Sequence, residues 1–373
     1  MPSFADLALR IFLCLTALLA AVAPAAAQSD RTRSFEGTVG RSRIVLSLEE
    51  DGKGEVAWGS YFYRSSRLDL ALEGERRGDV LTLEARATQD RLELRAEGGG
   101  LVGTLTTATK RRFPVRLARV TAARDLPADL PPELSLHERL QLSGLTLEPE
   151  AVEQVDGKPI RWVREPKSGV RLFRLESGYA AQPMAAMNAL LAQDQWREVS
   201  RWLSCTDIGG EPGVDGGVEG KLWLGRDYVS YGWQTSWSCA GAAHPDFGTA
   251  GHSFDAHTGR ELKLDAVLRF GPAPIPPEDS DRWYGYRAQT FAPAVVKLLQ
   301  RYHPQEMQPV DPDGEECDYT DPDVWNFPAW RLTPEGLWLG ASFARVMRAC
   351  DSPGWAVLPW SALSVKPEGK SAG

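Results

Sequence analysis

The residues best able to do chemistry gather between positions 244 and 257: His244, Asp246, His252, Asp255 and His257. Imidazole and carboxylate groups at such short range could ligate zinc or relay protons. The local turn signal argues against their convergence. Asp255-Ala-His-Thr-Gly259 reads as a hairpin turn, with Asp255 bonding backbone ahead of it and Gly259 supplying a positive φ. His257 then sits at the tip and His252 lies back along the strand, separated by about 3.3 Å per residue. His252 also shares strand parity with Phe254, which predicts an inward-facing, hydrogen-bonded histidine. No metal and no cofactor is expected here.

Other candidate chemistry is thinner. Asp311-Pro-Asp-Gly-Glu-Glu-Cys-Asp318, with Asp321 and Asp323 beyond, collects hard oxygen ligands but misses the calcium-loop spacing, so it reads as a solvated acidic loop pinned by Cys317. Nucleophile and phosphate motifs such as G-x-S-x-G, H-E-x-x-H and glycine-rich cradles are missing. Thirteen tryptophans stand out, all but Trp58 lying beyond residue 135. Trp233 and Trp237 share a face if their strand is regular, and an exposed platform of indoles could stack on sugar or anchor a protein. That reading extends to Trp223, Trp283, Trp325 and Trp355, with core packing as the alternative. Trp233, Trp237, His244 and Asp246 form the candidate binding set. His244, between Gly241-Ala-Ala and Pro245, either recognises a partner or locks its loop through its ring nitrogens.

The compartment follows from the first residues. An apolar run from Ile11 to Ala23, then Pro24 and Ala25-Ala26-Ala27, reads as a signal peptide of residues 1–27 cleaved before Gln28. Removing 27 of 373 residues leaves 346, room for two domains. No later run is apolar enough to span a bilayer, so a periplasmic or secreted protein is expected. The net charge of −8 repels phosphate backbones and excludes nucleic acid as the expected partner, while favouring cationic ones. Four cysteines remain after the leader, and in an exported chain they imply disulfides. Of three possible pairings, the neighbour pairing Cys205 with Cys239 and Cys317 with Cys350 is preferred.

The elements that must position these groups fall into two parts. Residues 28–122 alternate with period 2 in short runs: residues 35–39, Arg43-Ile-Val-Leu-Ser-Leu48, residues 55–63, 68–72, 80–83, 92–94, 101–105 and 113–117. Eight such strands predict an antiparallel meander that can close into a small barrel, with Tyr61 and Tyr63 either lining a ligand mouth or stabilising the sheet. Residues 123–135 carry three prolines and read as a stiff linker. Residues 136–366 predict an α+β domain with a mostly antiparallel sheet and two main helices, at Met184–Leu203 and Thr290–Tyr302. Strands are expected at Gly220–Leu224, Tyr228–Ser236, Thr249–Phe254, Glu261–Leu264, Trp330–Leu332, Leu337–Leu339 and Ala356–Leu358. A frayed tail is expected at residues 367–373.

Several of these pieces carry a resemblance. Tyr228-Val-Ser-Tyr-Gly-Trp-Gln-Thr-Ser-Trp-Ser-Cys-Ala-Gly-Ala-Ala-His-Pro, then Gly251-His-Ser-Phe-Asp-Ala-His-Thr-Gly, and later Leu337-Trp-Leu and Val357-Leu-Pro-Trp-Ser-Ala-Leu, occur in order. In this order, across residues 136–366, the chain resembles the extracellular domain shared by lysozyme-sensing anti-sigma factors and some peptidoglycan deacetylases. The resemblance places His244 in the family's Gly-Ala-His turn and implies recognition of lysozyme or association with peptidoglycan. Signalling and deacetylation are not carried over, since neither a sigma-binding part nor a deacetylase domain is read in the chain. The expectation is an exported, non-catalytic binding protein of the envelope for lysozyme or another cationic protein. A binder of peptidoglycan, another glycan or a small ligand is the alternative, and an envelope hydrolase the third reading. An exposed tryptophan with an acidic patch would mark the first, a Trp-lined polar groove the second, and buried carboxylate or histidine pairs with shifted pKa the third.

Overall fold

The computed structural model describes residues 32–271, 274–310 and 316–365. The expected signal peptide, the tail at 367–373 and the first half of the acidic loop lie outside the described residues.

Period-2 alternation builds the first unit. Eight strands, β1 (Thr32–Val39), β2 (Ser42–Glu50), β3 (Val56–Tyr63), β4 (Leu70–Arg77), β5 (Val80–Ala85), β6 (Arg91–Glu97), β7 (Gly100–Thr106) and β8 (Arg112–Val120), pair antiparallel in sequence order. Pairing of β1 with β8 closes them into a barrel. Alternate side chains point inward, so Ile44, Leu46, Leu48, Leu81, Leu83, Leu92 and Leu94 are fully buried. Each contributes about 1.5–3 kcal/mol by leaving water. Tyr61, wholly buried with its hydroxyl donating to Asp90 Oδ2 at 3.2 Å, is a core filler rather than the wall of a mouth. Val45 and Phe62 point outward and are covered by Leu140.

Leu140 belongs to α1 (Leu136–Leu142), a short helix at the end of the proline-rich stretch. Ser135 caps it: its hydroxyl accepts from the Glu138 N–H, and Glu138 accepts from the Ser135 N–H at 2.8 Å. The barrel is fastened here and at one further residue. Asp69 donates its N–H to the carbonyl of Leu203 at 2.8 Å, accepts from the Thr206 hydroxyl through its carbonyl, and receives His137 Nε2 on its carboxylate at 2.8 Å. Asp69 and His137 are each 7% exposed.

The second part is α+β as expected, with all its strands antiparallel, although they form three separate sheets. The first holds β9 (Glu148–Val155), β10 (Lys158–Arg164) and β11 (Arg171–Leu175). Then comes the long helix α2 (Ala181–Ser204), followed by β12 (Val214–Leu224), β13 (Tyr228–Trp237) and β14 (Asp246–Asp255). Helix α2 buries Met187, Leu191, Trp196, Val199 and Leu203 against Phe173, Tyr231 and Phe254. The third sheet, β15 (Ala329–Leu332), β16 (Gly336–Gly340) and β17 (Val357–Pro359), packs against α4 (Ala292–Tyr302) around Trp325. Its crossing over β14 requires Gly251, where a Cβ would stand 1.9 Å from the carbonyl oxygen of Trp330.

Two expectations are corrected. The strand predicted at Glu261–Leu264 is a single bridge from Glu261 to Phe254 followed by a helical turn, Leu264–Val267, because Leu264, Val267 and Leu268 all enter the third core. The second main helix begins earlier than Thr290: α3 (Asp281–Tyr286), capped by the Ser280 hydroxyl, runs through a π-helical turn at Arg287–Phe291 into α4. Both disulfides form with the preferred connectivity, Cys205–Cys239 at a Cα separation of 5.2 Å and Cys317–Cys350 at 5.6 Å. No helix among the described residues is long and apolar enough to cross a membrane.

Candidate functional site

The candidate set from the sequence does not assemble as an open platform. Trp233 is 3% exposed and belongs to the core between α2 and the β12–β14 sheet, so it cannot stack on a ligand. Trp237, at the strand's end, is half-buried, with its ring beside Gly248. Parity does put the two on one face, but α2 covers that face under Trp233. Trp325 is wholly buried, while Trp223, Trp283 and Trp355 are partly covered. Trp58, on the barrel and 42% exposed, is the only tryptophan in the exposed class among the described residues. His244 is exposed on its loop. Asp246 is held low in pKa by the Phe247 N–H, then by Arg348, Arg345 and His244. Both arginines lie 3.4 Å from its carboxylate and Arg348 also pairs with Asp351 at 3.0 Å, so the two guanidiniums and two carboxylates balance beside exposed Phe247 and Val346.

The hairpin turn forms as predicted, with Asp255 Oδ1 accepting from His257 N and Thr258 N, and Gly259 at φ +73°. His252 faces inward and is hydrogen-bonded, also as predicted. Its partners come from elsewhere in the chain: Nδ1 lies 3.0 Å from Glu261 Oε1 and 3.5 Å from Asp194 Oδ2, and its ring stacks on Tyr231 at 4.6 Å. Tyr231 donates to the same Asp194 oxygen at 2.9 Å, and Arg197 pairs with the other at 2.6 Å. Burial raises the pKa of Asp194 despite His252 and Arg197, and burial raises Glu198 one turn on. Burial opposes the His252 imidazolium, but Glu261 and Asp194 overcome it and lift His252 above 6.5.

These shifts dictate a pH response. His252 and Asp194 both hold protons more tightly folded than unfolded, so stability falls as pH rises. For His252 the contribution is whole below about pH 6.5 and is lost as pH passes its raised folded pKa. The urea midpoint is therefore expected to decline above neutral pH, and His252→Gln to flatten that decline. An unchanged slope in the variant would refute the assignment. The hydrogen bonds of this cluster are spent on one another and tie α2 to β13 and β14.

A hollow of about 560 Å³ offers recognition chemistry instead. It lies where the β9–β10 turn meets the edge strand β12, lined by Glu153, Gln154, Val155, Asp156, Trp162, Val218, Gly220, Lys221 and Leu222. Trp162 is fixed from several sides: its Nε1 donates to Glu153 Oε2 at 2.7 Å, Arg171 covers its ring at 4.1 Å, and Phe173 meets it edge-on. Asp156 is desolvated, yet the Leu224 N–H at 3.0 Å and Lys221 at 3.2 Å bring its pKa below the ordinary value. The β12 bulge between Glu219 and Trp223, with Gly220 at φ +66°, turns Lys221 toward Asp156.

No protein-family model matches the chain, and no curated protein matches it.

The groove thus combines an immobilised indole with carboxylate, amide and ammonium groups. This set can accept and donate hydrogen bonds to several hydroxyls while an aromatic surface meets an apolar ring face. None of its residues was a sequence candidate, because the hollow forms only where the β9–β10 turn and Trp162 of β10 meet β12, segments more than 50 residues apart in the chain.

Proposed function

We propose that this chain is a non-catalytic binding protein of the cell envelope, and that its groove holds a saccharide strand of peptidoglycan type. The observation that carries the reading is the Trp162 wall facing Gln154, Asp156 and Lys221 in one hollow. Two disulfides and the leader-like first residues support an oxidising compartment. The resemblance of residues 136–366 to the lysozyme-sensing module supports the same setting.

Calorimetric titration with peptidoglycan-derived oligosaccharides tests it. Saturable binding is expected, weakened about tenfold by Trp162→Ala, as befits about 1.4 kcal/mol of aromatic contact. Absence of binding, or equal binding by the variant, would remove the groove from consideration.

A lysozyme-like cationic protein is the second reading. It draws support from the neighbouring recess on β12 and β13, where Asp215 and the Arg331-paired Glu219 flank Gly216, Gly217 and Val218 on a strand at the sheet edge among the described residues, a place where an extended basic segment could pair. Titration with a C-type lysozyme in place of the saccharide separates the two.

A further inference from the structure

A second hollow, of about 630 Å³, lies on the other side of the barrel–helix junction and is independent of the saccharide reading. Strands β1 and β8 pair where the barrel closes, and Glu36 of β1 and Arg119 of β8 both line this hollow. Arg43 of β2, Arg64 and Arg67 after β3, and Arg124 beyond β8 complete a ring around the end of α1. Five arginines face two carboxylates, those of Glu36 and Asp125, leaving a formal surplus of three positive charges in a chain whose net charge is −8.

Neighbouring carboxylates offset the surplus only in part. Glu36 alone serves two of the cations, Arg43 at 2.7 Å and Arg64 at 3.2 Å. Arg64 Nη1 donates to the Leu140 carbonyl at 2.7 Å, while its buried Nε has no hydrogen-bond partner among the described residues. Arg67 donates to the carbonyl of Gln141, a neutral acceptor. Burial, and then the charge of Arg64, push the Arg67 pKa below its ordinary value, with the buried Glu165 carboxylate opposing them only in part. Arg119 and Arg124 are exposed and make no ion pair among the described residues.

We propose that this arginine-ringed hollow binds a compact, multivalent phosphoryl group, as a free phosphate compound or as a phosphate-bearing headgroup. A surplus of three charges calls for more than one negative charge in a small volume. Guanidinium forks approaching from β2, β8 and the post-barrel segment suit tetrahedral oxygens pointing several ways, whereas a planar carboxylate meets one fork at a time. Arg64 and Arg67 are anchored on backbone carbonyls and set the floor; Arg119 and Arg124 close from the rim.

The test is titration of the full mature chain with inorganic pyrophosphate at about 0.15 M ionic strength. One-to-one binding is expected, weakened about tenfold or more in Arg119→Ala/Arg124→Ala. These two side chains hold no ion-pair partner among the described residues, so an unchanged melting temperature serves as the control for folding. Sedimentation with phosphatidic acid vesicles but no response to pyrophosphate would assign the phosphoryl source to a headgroup. No binding to either, equal binding by the double variant, or citrate binding as tightly as pyrophosphate would each overturn the proposal.

Discussion

Replacing His137 with alanine is expected to lower the unfolding free energy by about 3–5 kcal/mol. The reason is what it leaves behind. Asp69 is 7% exposed, and its carboxylate receives His137 Nε2 at 2.8 and 3.1 Å. Without the imidazole that carboxylate stays desolvated and loses its partner, a situation far costlier than losing a surface pair. The ring's edge contact with Phe62, at 5.1 Å, disappears as well. The double variant Asp69→Ala/His137→Ala should recover part of the loss, because no charge is then buried alone. Urea unfolding of the three proteins checks this; a single-variant cost below about 1 kcal/mol would mean the joint carries little of the stability.

Removing Cys205–Cys239 by paired alanine substitution is expected to cost about 3–4 kcal/mol, given the sequence separation of 34. This bridge ties the residue after α2 to the segment after β13, just where Asp69 docks on Leu203 and Thr206. Cys317–Cys350, with a separation of 33, should cost about as much on its own. Because the two bridges sit against different cores, their effects should add. Urea midpoints with and without reductant read the sum directly, and midpoints insensitive to reductant would contradict the prediction.

How far the residues revealed this arrangement depends on how local the signals are. The barrel was legible because each strand announces itself by alternation and each turn by its own residues. The Asp255–Gly259 turn and the inward pose of His252 followed from the same short-range logic. Helix α1, short and directly after the proline-rich stretch, was missed, although Ser135 and Glu138, three apart, carry a capping-box signal. The β9–β11 sheet escaped because β9 is exposed along most of its length and its apolar residues, Ala151, Val152 and Val155, do not alternate regularly. Tryptophan exposure was not legible at all: parity states which residues share a face, but not which element covers it. Both hollows depend on residues distant in sequence, Trp162 with Lys221 in one and Arg43 with Arg119 in the other.

The disulfide connectivity bears on how the chain matures. A polypeptide emerging from a ribosome or a translocation pore appears N-terminus first, and Cys205 and Cys239 are both out before Cys317 follows. Among the four cysteines that form the two bridges, an oxidant meeting the chain at that stage has only the native partner to offer Cys205. When Cys317 and Cys350 arrive, the first pair is already closed, so the native linkage is also the one that order of appearance selects. Oxidation during emergence can thus complete both bridges without a later reshuffling step.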